Sequence, residues 1–357
     1  MKVFCGVQAT GRGHLSRYMV VRDILEGFGS QVYGFACGKE IPGYCTKDLF
    51  RQGPTFSTKN NRIDVLGSLK YNVRRAPGFL KTVREVTRLV REERFEHAIL
   101  DFEPLSIRAV RKAGIPYTIF DNQTFALLSL LDTVPGIEQQ VRMMRRFVKS
   151  YYGSALPQAS HVWTYSFVPA EPELPRQVIV PPCVRQEVLN LAPSRGEHMM
   201  FYSSVGELPS GLIEFARAHP DVEVRAYVAR LPDPAELPRN VKVPQRDSAN
   251  FLQDLASCRV FMTGAGFESI AECVHLRKPI MVVPIGGQWE QYINAELVRL
   301  YKVGATATDW SRATFEAALQ HEAPASAEVQ QWVSGGRAVL THVLRELVTT
   351  FENGNPQ

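Results

Sequence analysis

Short apolar runs alternate with helical patterns along the whole chain, and this alternation restricts the possible fold more than any other feature. It is typical of parallel sheets whose two faces are covered by helices, so the predicted fold class is α/β. In the first half we predict strands near Val3–Val7, Gln31–Ala36, Ala98–Asp101, Tyr117–Phe120 and Val162–Tyr165. In the second half we predict strands near Met199–Ser203, Glu223–Val228, Val260–Thr263, Met281–Pro284 and Ala305–Thr308.

The length of the chain and one proline-rich segment predict two domains. At 357 residues the chain exceeds what a single hydrophobic core usually serves. Residues 169–182 are polar and rich in proline, which stiffens a connection and discourages a continuing helix. We therefore predict a first domain at residues 1–168, a linker at 169–182 and a second domain at 183–335.

The composition predicts a globular protein of a reducing compartment. Hydrophobic residues make up 45% and charged residues 22% of the chain. The six cysteines form no C-x-x-C pair, so the expectation is a cytoplasmic protein without structural zinc. The first residues match a strand rather than a signal peptide, and no apolar run is long enough to span a bilayer. Any membrane association is therefore expected to be peripheral.

The net charge of +5 is concentrated in two segments, Lys70–Arg94 and Arg142–Lys149. In both, apolar residues recur at helical spacing with charges between them. One interpretation is a solvated helix face above a core stripe. The other is a positive surface that attracts an anionic acceptor, a membrane surface or a nucleic acid.

The glycine turn at residues 263–272 predicts a pyrophosphate site. It connects an apolar strand to a helix through Gly264 and Gly266. Glycine lets a ligand approach the backbone closely, and the first N–H groups of a helix lack partners within that helix. Glu272 falls about two turns into the helix, where it could accept hydrogen bonds from a ribose.

A polar cluster follows the next predicted strand, at residues 286–294. Open α/β sheets bind ligands at the carboxyl ends of their strands, which is where this cluster falls. The candidate ligand-binding residues in it are Gln288, Glu290, Gln291 and Asn294.

The turn Gly11–His14, with the letters GRGH, follows the first predicted strand and allows two interpretations. A dinucleotide fingerprint needs a third glycine where this chain has Ser16, although Glu40 near the end of the second strand keeps a nicotinamide site open. Alternatively, His14 is a general base, because an imidazole titrates near neutral pH.

Carboxylates and amides follow two later strands of the first half. Asp101 and Glu103 are separated by one residue and could share a cation, but the chain has no D-x-D motif. The stretch Asp121–Gln123 follows the next strand and is either part of an acceptor site or an ordinary Asx turn.

Taken in order, these segments resemble the GT-B glycosyltransferases, in particular family 28, the lipid II N-acetylglucosaminyltransferase group, and family 1. The resemblance spans the chain and also includes Val243–Gln245. It implies two Rossmann-like domains with parallel sheets facing across an interdomain cleft. It also implies a C-terminal helix, residues 336–357, that crosses back to the first domain.

The resemblance assigns roles to individual residues. His14 matches the histidine that deprotonates or orients the acceptor, and Asp101 matches its supporting aspartate. The implied donor-binding residues are Gly264, Gly266, Ser269, Glu272, Gln288, Glu290, Gln291, Asn294, Val243 and Gln245, with Ser203 and Ser204 as a second diphosphate contact. The implied acceptor-binding residues are Gly11, Gly13, Glu103, Asp121, Asn122 and Gln123.

Two positions depart from the plant family 1 pattern. Gly264 stands where those enzymes have a phosphate-binding histidine, and Glu268 stands where they have an asparagine. A carboxylate aimed at a diphosphate would repel it, so Glu268 is expected to face elsewhere or to meet an arginine.

The function implied is an inverting, metal-independent glycosyltransferase that uses a nucleotide-diphosphate sugar, UDP-linked, and needs no cofactor. The alternatives are a non-hydrolysing UDP-sugar 2-epimerase and a nucleotide-sugar-binding protein without turnover. The acceptor stays open between a lipid-linked saccharide, a polysaccharide, a small aglycone and a modified nucleic acid. The location expected is cytoplasmic, with peripheral contact at the inner membrane face as an option.

Overall fold

The computed structural model describes residues 1–9, 12–38, 49–55, 57–59, 62–245 and 248–354. Gly11 and Glu40, which the sequence analysis singled out, lie outside the described residues.

The strands follow the predicted order along the chain. They are β1 (Lys2–Ala9), β2 (Gln31–Gly38), β3 (Leu49–Gln52), β4 (Ser57–Lys59), β5 (Arg62–Asp64), β6 (His97–Asp101), β7 (Tyr117–Asp121), β8 (His161–Tyr165), β9 (Gln177–Val180), β10 (Met199–Tyr202), β11 (Val224–Tyr227), β12 (Val241–Lys242), β13 (Val260–Thr263), β14 (Ile280–Val282) and β15 (Ala305–Thr306).

Helices occupy most of the connections between these strands. They are α1 (Arg12–Gly27), α2 (Val65–Glu92), α3 (Pro104–Ala113), α4 (Glu138–Tyr152), α5 (Ala155–Gln158), α6 (Gln186–Leu189), α7 (Ser210–Ala218), α8 (Ser248–Ser257), α9 (Phe267–His275), α10 (Trp289–Leu300), α11 (Arg312–Gln320), α12 (Ala327–Ser334) and α13 (Gly336–Glu352). Short 3-10 helices lie at Gln123–Leu127, Ser129–Thr133 and Pro234–Glu236.

Two parallel sheets dominate the described chain, and each is wound in both directions from its centre. The first has the order β3-β2-β1-β6-β7-β8-β9, and the second has the order β12-β11-β10-β13-β14-β15. In the first sheet the order reverses between β1 and β6, and in the second it reverses between β10 and β13. These two reversals are the points where open α/β sheets bind ligands.

The central strands are apolar because both of their faces are covered. In β6 and β7 every residue is buried, as is every residue of β1 from Val3 onward. Parallel strands covered by helices on both faces lose the polar alternation of half-exposed strands. The predicted α/β fold class and all ten predicted strands are therefore confirmed.

The chain divides into two compact units. The first contains residues 1–57, 64–185 and 335–357, and the second contains residues 58–63 and 186–334. The segment predicted as a linker, residues 169–182, includes β9, which pairs with β8 at the edge of the first sheet.

The C-terminal helical segment is split at Gly335. α12 belongs to the second unit and α13 to the first. A Cβ placed on Gly336 would lie 1.9 Å from the carbonyl oxygen of Pro182, so only glycine fits where α13 begins.

Candidate active site

His14 and Asp101 meet at the reversal point of the first sheet. His14 lies in the first turn of α1, directly after β1, and Asp101 is the last residue of β6. His14 Nδ1 is 2.8 Å from Asp101 Oδ1. Since β1 and β6 are neighbours in the sheet, their carboxyl ends bring together two residues that are 87 positions apart in sequence.

Arg17 completes this group, and the sequence analysis missed it. Arg17 Nε donates to Asp101 Oδ2 at 2.8 Å, and Arg17 Nη2 donates to Asp101 Oδ1 at 3.2 Å. The guanidinium lies over the ring of Tyr165, with 4.6 Å between Cζ and the ring centroid. Its position three residues after His14 on α1 was the available signal, because residues i and i+3 share a helix face.

The buried charges keep Asp101 ionised. Burial alone would raise the pKa of Asp101, but the nearby Arg17 guanidinium, His14 and their hydrogen bonds hold it below its usual value. The side chains of Arg17 and Asp101 are 2% and 6% exposed, whereas that of His14 is 17% exposed. Of the three, His14 is therefore the group that a ligand can reach.

The contact with an ionised carboxylate assigns one tautomer to a neutral His14. A hydrogen on Nδ1 donates to the ionised Asp101, which leaves the lone pair on Nε2. Arg17 Nη2 lies 3.0 Å from Nδ1, but two N–H groups cannot hydrogen-bond to each other, so Arg17 directs its hydrogens to oxygen atoms.

Phe102 holds an unusual backbone conformation beside this group. Its φ is 50°, in the left-handed region that residues other than glycine rarely adopt. Its ring stacks on Tyr151, with 4.3 Å between centroids, and lies parallel to the ring of His14 at 6.2 Å. The aromatic contacts therefore hold the turn that follows Asp101 in place.

Glu103 and Asp121, which were predicted to bind the acceptor, are fully buried and occupied by local contacts. Glu103 caps α3, where its carboxylate accepts the backbone N–H groups of Leu105, at 3.0 Å, and of Ser106. Asp121 accepts the Thr124 N–H at 2.9 Å and the Tyr152 hydroxyl. Burial raises the pKa of both carboxyl groups. These contacts assign both residues structural roles.

The other predicted acceptor residues lie near His14 and Arg17, in a 3-10 helix, or outside the described residues. Asn122 Oδ1 is 3.5 Å from Arg17 Nη2. Gln123 is buried at the start of a 3-10 helix. Gly13 lies in the first turn of α1 beside His14, and Gly11 is among the residues that the structure does not describe.

In the second unit a cavity of about 200 Å³ opens at the sheet's reversal point. Six of the predicted donor residues line it: Ser203, Ser204, Gly264, Gly266, Ser269 and Gln291. The sequence analysis missed further lining residues, among them Tyr202, Ile285, Thr308, Asp309 and Trp310.

The N-terminus of α9 borders this cavity and lacks a side-chain cap. Gly266 occupies the N-cap position and, having no side chain, makes no side-chain cap hydrogen bond. A Cβ placed on Gly266 would meet no atom within 4 Å, whereas one on Gly264 would lie 3.1 Å from Gln291 Oε1. The positive end of the helix dipole, at an N-terminus without a side-chain cap, makes this end suited to an anion.

Two side chains of α10 fix the loops around the cavity. Gln291 Oε1 accepts the N–H of Ile285 at 2.9 Å, and Asn294 Nδ2 donates to the carbonyl oxygen of Ala265 at 3.0 Å. Asn294 is buried and does not line the cavity, so it holds the glycine turn in place from the interior of the second unit.

The remaining predicted donor residues do not line this cavity. Glu272 is 8% exposed within α9, and Val243 packs against the hydrophobic core of the second unit. Gln288, Glu290 and Gln245 are also absent from the lining. Glu268, in the first turn of α9, does not line the cavity either.

Asp101 and Glu103, the two residues considered as metal ligands, serve different partners. Asp101 binds Arg17 and His14, and Glu103 caps α3. Over the ranges that the structure describes, no group of three or more His, Cys, Asp and Glu side chains could hold a metal ion.

Comparison with known proteins identifies the family. The family model for glycosyl transferase family 1 matches residues 1–321. No curated protein sequence matches the chain significantly.

Several solved glycosyltransferases share its fold. The glycotransferase of kitacinnamycin has a TM-score of 0.64 at 17% identity, with 99% of both chains covered. SnogD from Streptomyces nogalater has a TM-score of 0.58 at 16% identity, with 98% of this chain and 99% of SnogD covered. A UDP-glucosyltransferase from Polygonum tinctorium has a TM-score of 0.65 at 15% identity, with 98% of both chains covered. The predicted GT-B fold is confirmed, and the protein is a glycosyltransferase that belongs to glycosyl transferase family 1.

Proposed function

We propose that this glycosyltransferase moves a sugar from a UDP-linked donor to an acceptor hydroxyl, with inversion at the anomeric carbon and without a metal ion. The observation that carries the proposal is the contact between His14 Nδ1 and the ionised Asp101, because it leaves Nε2 as a base on a reachable side chain. No cofactor is needed for this chemistry.

In the proposed reaction, His14 Nε2 takes the proton of the acceptor hydroxyl. The acceptor oxygen forms a bond to the anomeric carbon from the face opposite the diphosphate, and the bond between that carbon and the diphosphate oxygen breaks. Asp101 stabilises the imidazolium as it forms, while Arg17 keeps Asp101 in its carboxylate form.

The cavity in the second unit is the proposed diphosphate site. At about 200 Å³ it is smaller than typical sites for drug-sized ligands, roughly 300–1,000 Å³, so we assign to it the diphosphate and neighbouring atoms rather than the whole donor. The N–H groups at the start of α9 would stabilise the charge on the departing diphosphate. Glu272, Gln288 and Glu290 do not line this cavity, so as donor-binding residues they would belong to a site that extends beyond it.

Binding and turnover can be tested separately. Thermal unfolding with a panel of UDP-sugars should show a rise in Tm with the correct donor, because a ligand of the native state stabilises it by mass action. Mass spectrometry with candidate acceptors should then show the added sugar, and NMR of the product should show inverted anomeric configuration. An epimerised donor recovered without transfer would support a 2-epimerase instead, and binding without any product would support a protein that only binds the donor.

The roles of His14 and Asp101 predict a specific pattern of losses. Asp101→Asn should slow transfer, and its combination with His14→Ala should be little slower than His14→Ala alone, since a supporting residue then has nothing to support. Independent, multiplicative losses would contradict the pairing.

A further inference from the structure

Four large apolar side chains lie exposed on one face of α2. Leu66 is 79% exposed, Leu69 60%, Val73 63% and Leu80 53%. Their spacing of three, four and seven residues places them along one side of the helix. We call these four residues the α2 stripe.

The α2 stripe lies in a segment that carries only positive charge. From Val65 to Arg84 the helix contains no acidic residue, and the first carboxylate is that of Glu85. The exposed basic residues in this segment are Lys70, Arg74, Arg75, Lys81 and Arg84. Lys81 has only a long contact of 3.9 Å with Glu85, and the Arg75 guanidinium lies over the ring of Tyr71.

The α2 stripe is not a part of the core, because its side chains are exposed while other residues of α2 anchor the helix. In the first half of α2, Ser68 is buried, and Asn72 Nδ2 donates to the carbonyl oxygen of Thr55 at 3.1 Å. In the second half, Thr82, Val83 and Val86 are buried, and Thr87 Oγ1 donates to the carbonyl oxygens of Val83 and Ala109. The stripe therefore projects from a helix that its other residues hold to the first unit.

Exposed apolar side chains beside exposed basic ones match the surface of an anionic bilayer. Apolar residues of an interfacial helix enter the boundary between headgroups and acyl chains, while Lys and Arg contact anionic headgroups. A nucleic acid would use the charges but would leave the α2 stripe exposed to water. Among the described residues no helix combines the length and apolarity needed to cross a membrane.

We propose that residues 66–84 of α2 dock the protein on the surface of an anionic lipid bilayer, with the α2 stripe inserted and the basic residues on the headgroups. Docking needs neither the sugar donor nor His14 and Asp101. Its test therefore does not depend on whether the proposed reaction occurs.

The test is co-sedimentation of the full chain with lipid vesicles. Vesicles of phosphatidylcholine with about one third phosphatidylglycerol should bind the protein, and vesicles of phosphatidylcholine alone should bind it at least tenfold more weakly. A basic residue near an anionic surface is worth about fivefold in affinity, so Lys70→Gln with Arg74→Gln should weaken binding by about 25-fold. Leu66→Ser with Val73→Ser should weaken it at least tenfold.

Matched controls lie in the second unit. Leu231, which is 63% exposed, provides Leu231→Ser, and the exposed Arg217 and Arg239 provide a charge control as Arg217→Gln with Arg239→Gln. Both controls should bind vesicles like the unmodified chain. Circular dichroism must show that the α2 variants keep their helix content, and Leu80→Ser provides a second apolar variant if one of the first pair unfolds.

Three results would overturn the proposal. The first is the absence of binding to anionic vesicles, and the second is equal binding to neutral and anionic vesicles. The third is loss of binding in the charge variant with full binding in both apolar variants, which would point to a general polyanion site instead of a bilayer.

Discussion

At the scale of single residues, the site depends on a buried arginine that looks ordinary in the sequence. Arg17 reads as one basic residue of an amphipathic helix, and only the fold shows that it is buried against Asp101 and Tyr165. The proximity of His14 and Asp101 was predictable, because Asp101 ends β6 and His14 comes shortly after the neighbouring β1. Glu103 and Asp121 also lie at strand ends, but their carboxylates cap the next helical turns. Position at a strand end therefore does not distinguish a ligand-binding side chain from a capping one.

Removal of Arg17 should destabilise the fold. In Arg17→Met the buried carboxylate of Asp101 loses its main counter-charge, and breaking a buried ion pair in this way typically costs about 3–5 kcal/mol. Urea unfolding at pH 7 measures this loss. The exposed Arg108 supplies the control Arg108→Met, which should change the free energy of unfolding by less than about 0.5 kcal/mol.

The effect of Arg17 should also depend on pH. The pKa of Asp101 is lowered in the folded state, so this group stabilises the native state above its unfolded pKa of about 3.9. That contribution is lost as the pH falls through the folded value, which lies lower. In Arg17→Met burial is no longer offset by the guanidinium, so the pKa of Asp101 rises in the folded variant and protonation relieves the unpaired charge there. The difference between the native protein and Arg17→Met should therefore shrink steadily when both are unfolded at successively lower pH. A constant difference over the whole range would mean that Asp101 is not its source.

At the scale of elements, strand prediction succeeded inside the sheets and missed most of the edge strands. Nine of the ten predicted strands lie inside a sheet and are apolar runs, as expected for strands covered on both faces, and the tenth, β15, is an edge strand. The missed β3, β9 and β12 also lie at sheet edges, β12 has only two residues, and the missed β4 and β5 form a separate pair. A short edge strand depends on its neighbour for pairing more than on its own sequence, so the pattern alone gives a weak signal.

The glycine turn before α9 offers a substitution with a control in the first unit. Gly264→Val should weaken UDP binding at least tenfold, because its Cβ would lie 3.1 Å from Gln291 Oε1 and its methyl groups would enter the cavity. Gly27→Val, at the exposed end of α1, should fold and bind nearly normally, since its Cβ meets no atom within 4 Å. Calorimetry with UDP measures both. Equal affinities in the two variants would place the diphosphate elsewhere.

At the scale of the whole molecule, each unit carries its own candidate binding or catalytic group at the reversal point of its own sheet. The first unit presents His14, Asp101 and Arg17, and the second presents the cavity at the start of α9. Sequence patterns could predict both locations, because strand order and glycine turns determine where the carboxyl ends gather. They could not predict how far Glu272 is buried, since that depends on packing around α9.

If the start of α9 binds the diphosphate, sugar transfer should survive removal of metal ions. Sugar transfer in excess EDTA should keep at least half of the untreated rate, because the N–H groups of α9 rather than a cation would stabilise the leaving diphosphate. The control is the same assay with added magnesium, which should raise the rate only slightly. Complete loss in EDTA with recovery in magnesium or manganese would contradict the metal-free mechanism.

The most direct test of the account is His14→Ala, measured for turnover and donor affinity in the same preparation. General-base assistance is typically worth about 10²–10⁴-fold, so turnover should fall by that order while the Kd for the UDP-sugar stays within about twofold. His342→Ala removes an exposed histidine of α13 and should leave both quantities unchanged. Unchanged turnover in His14→Ala, or a loss of donor affinity as large as the loss of turnover, would contradict the role of His14 as the base.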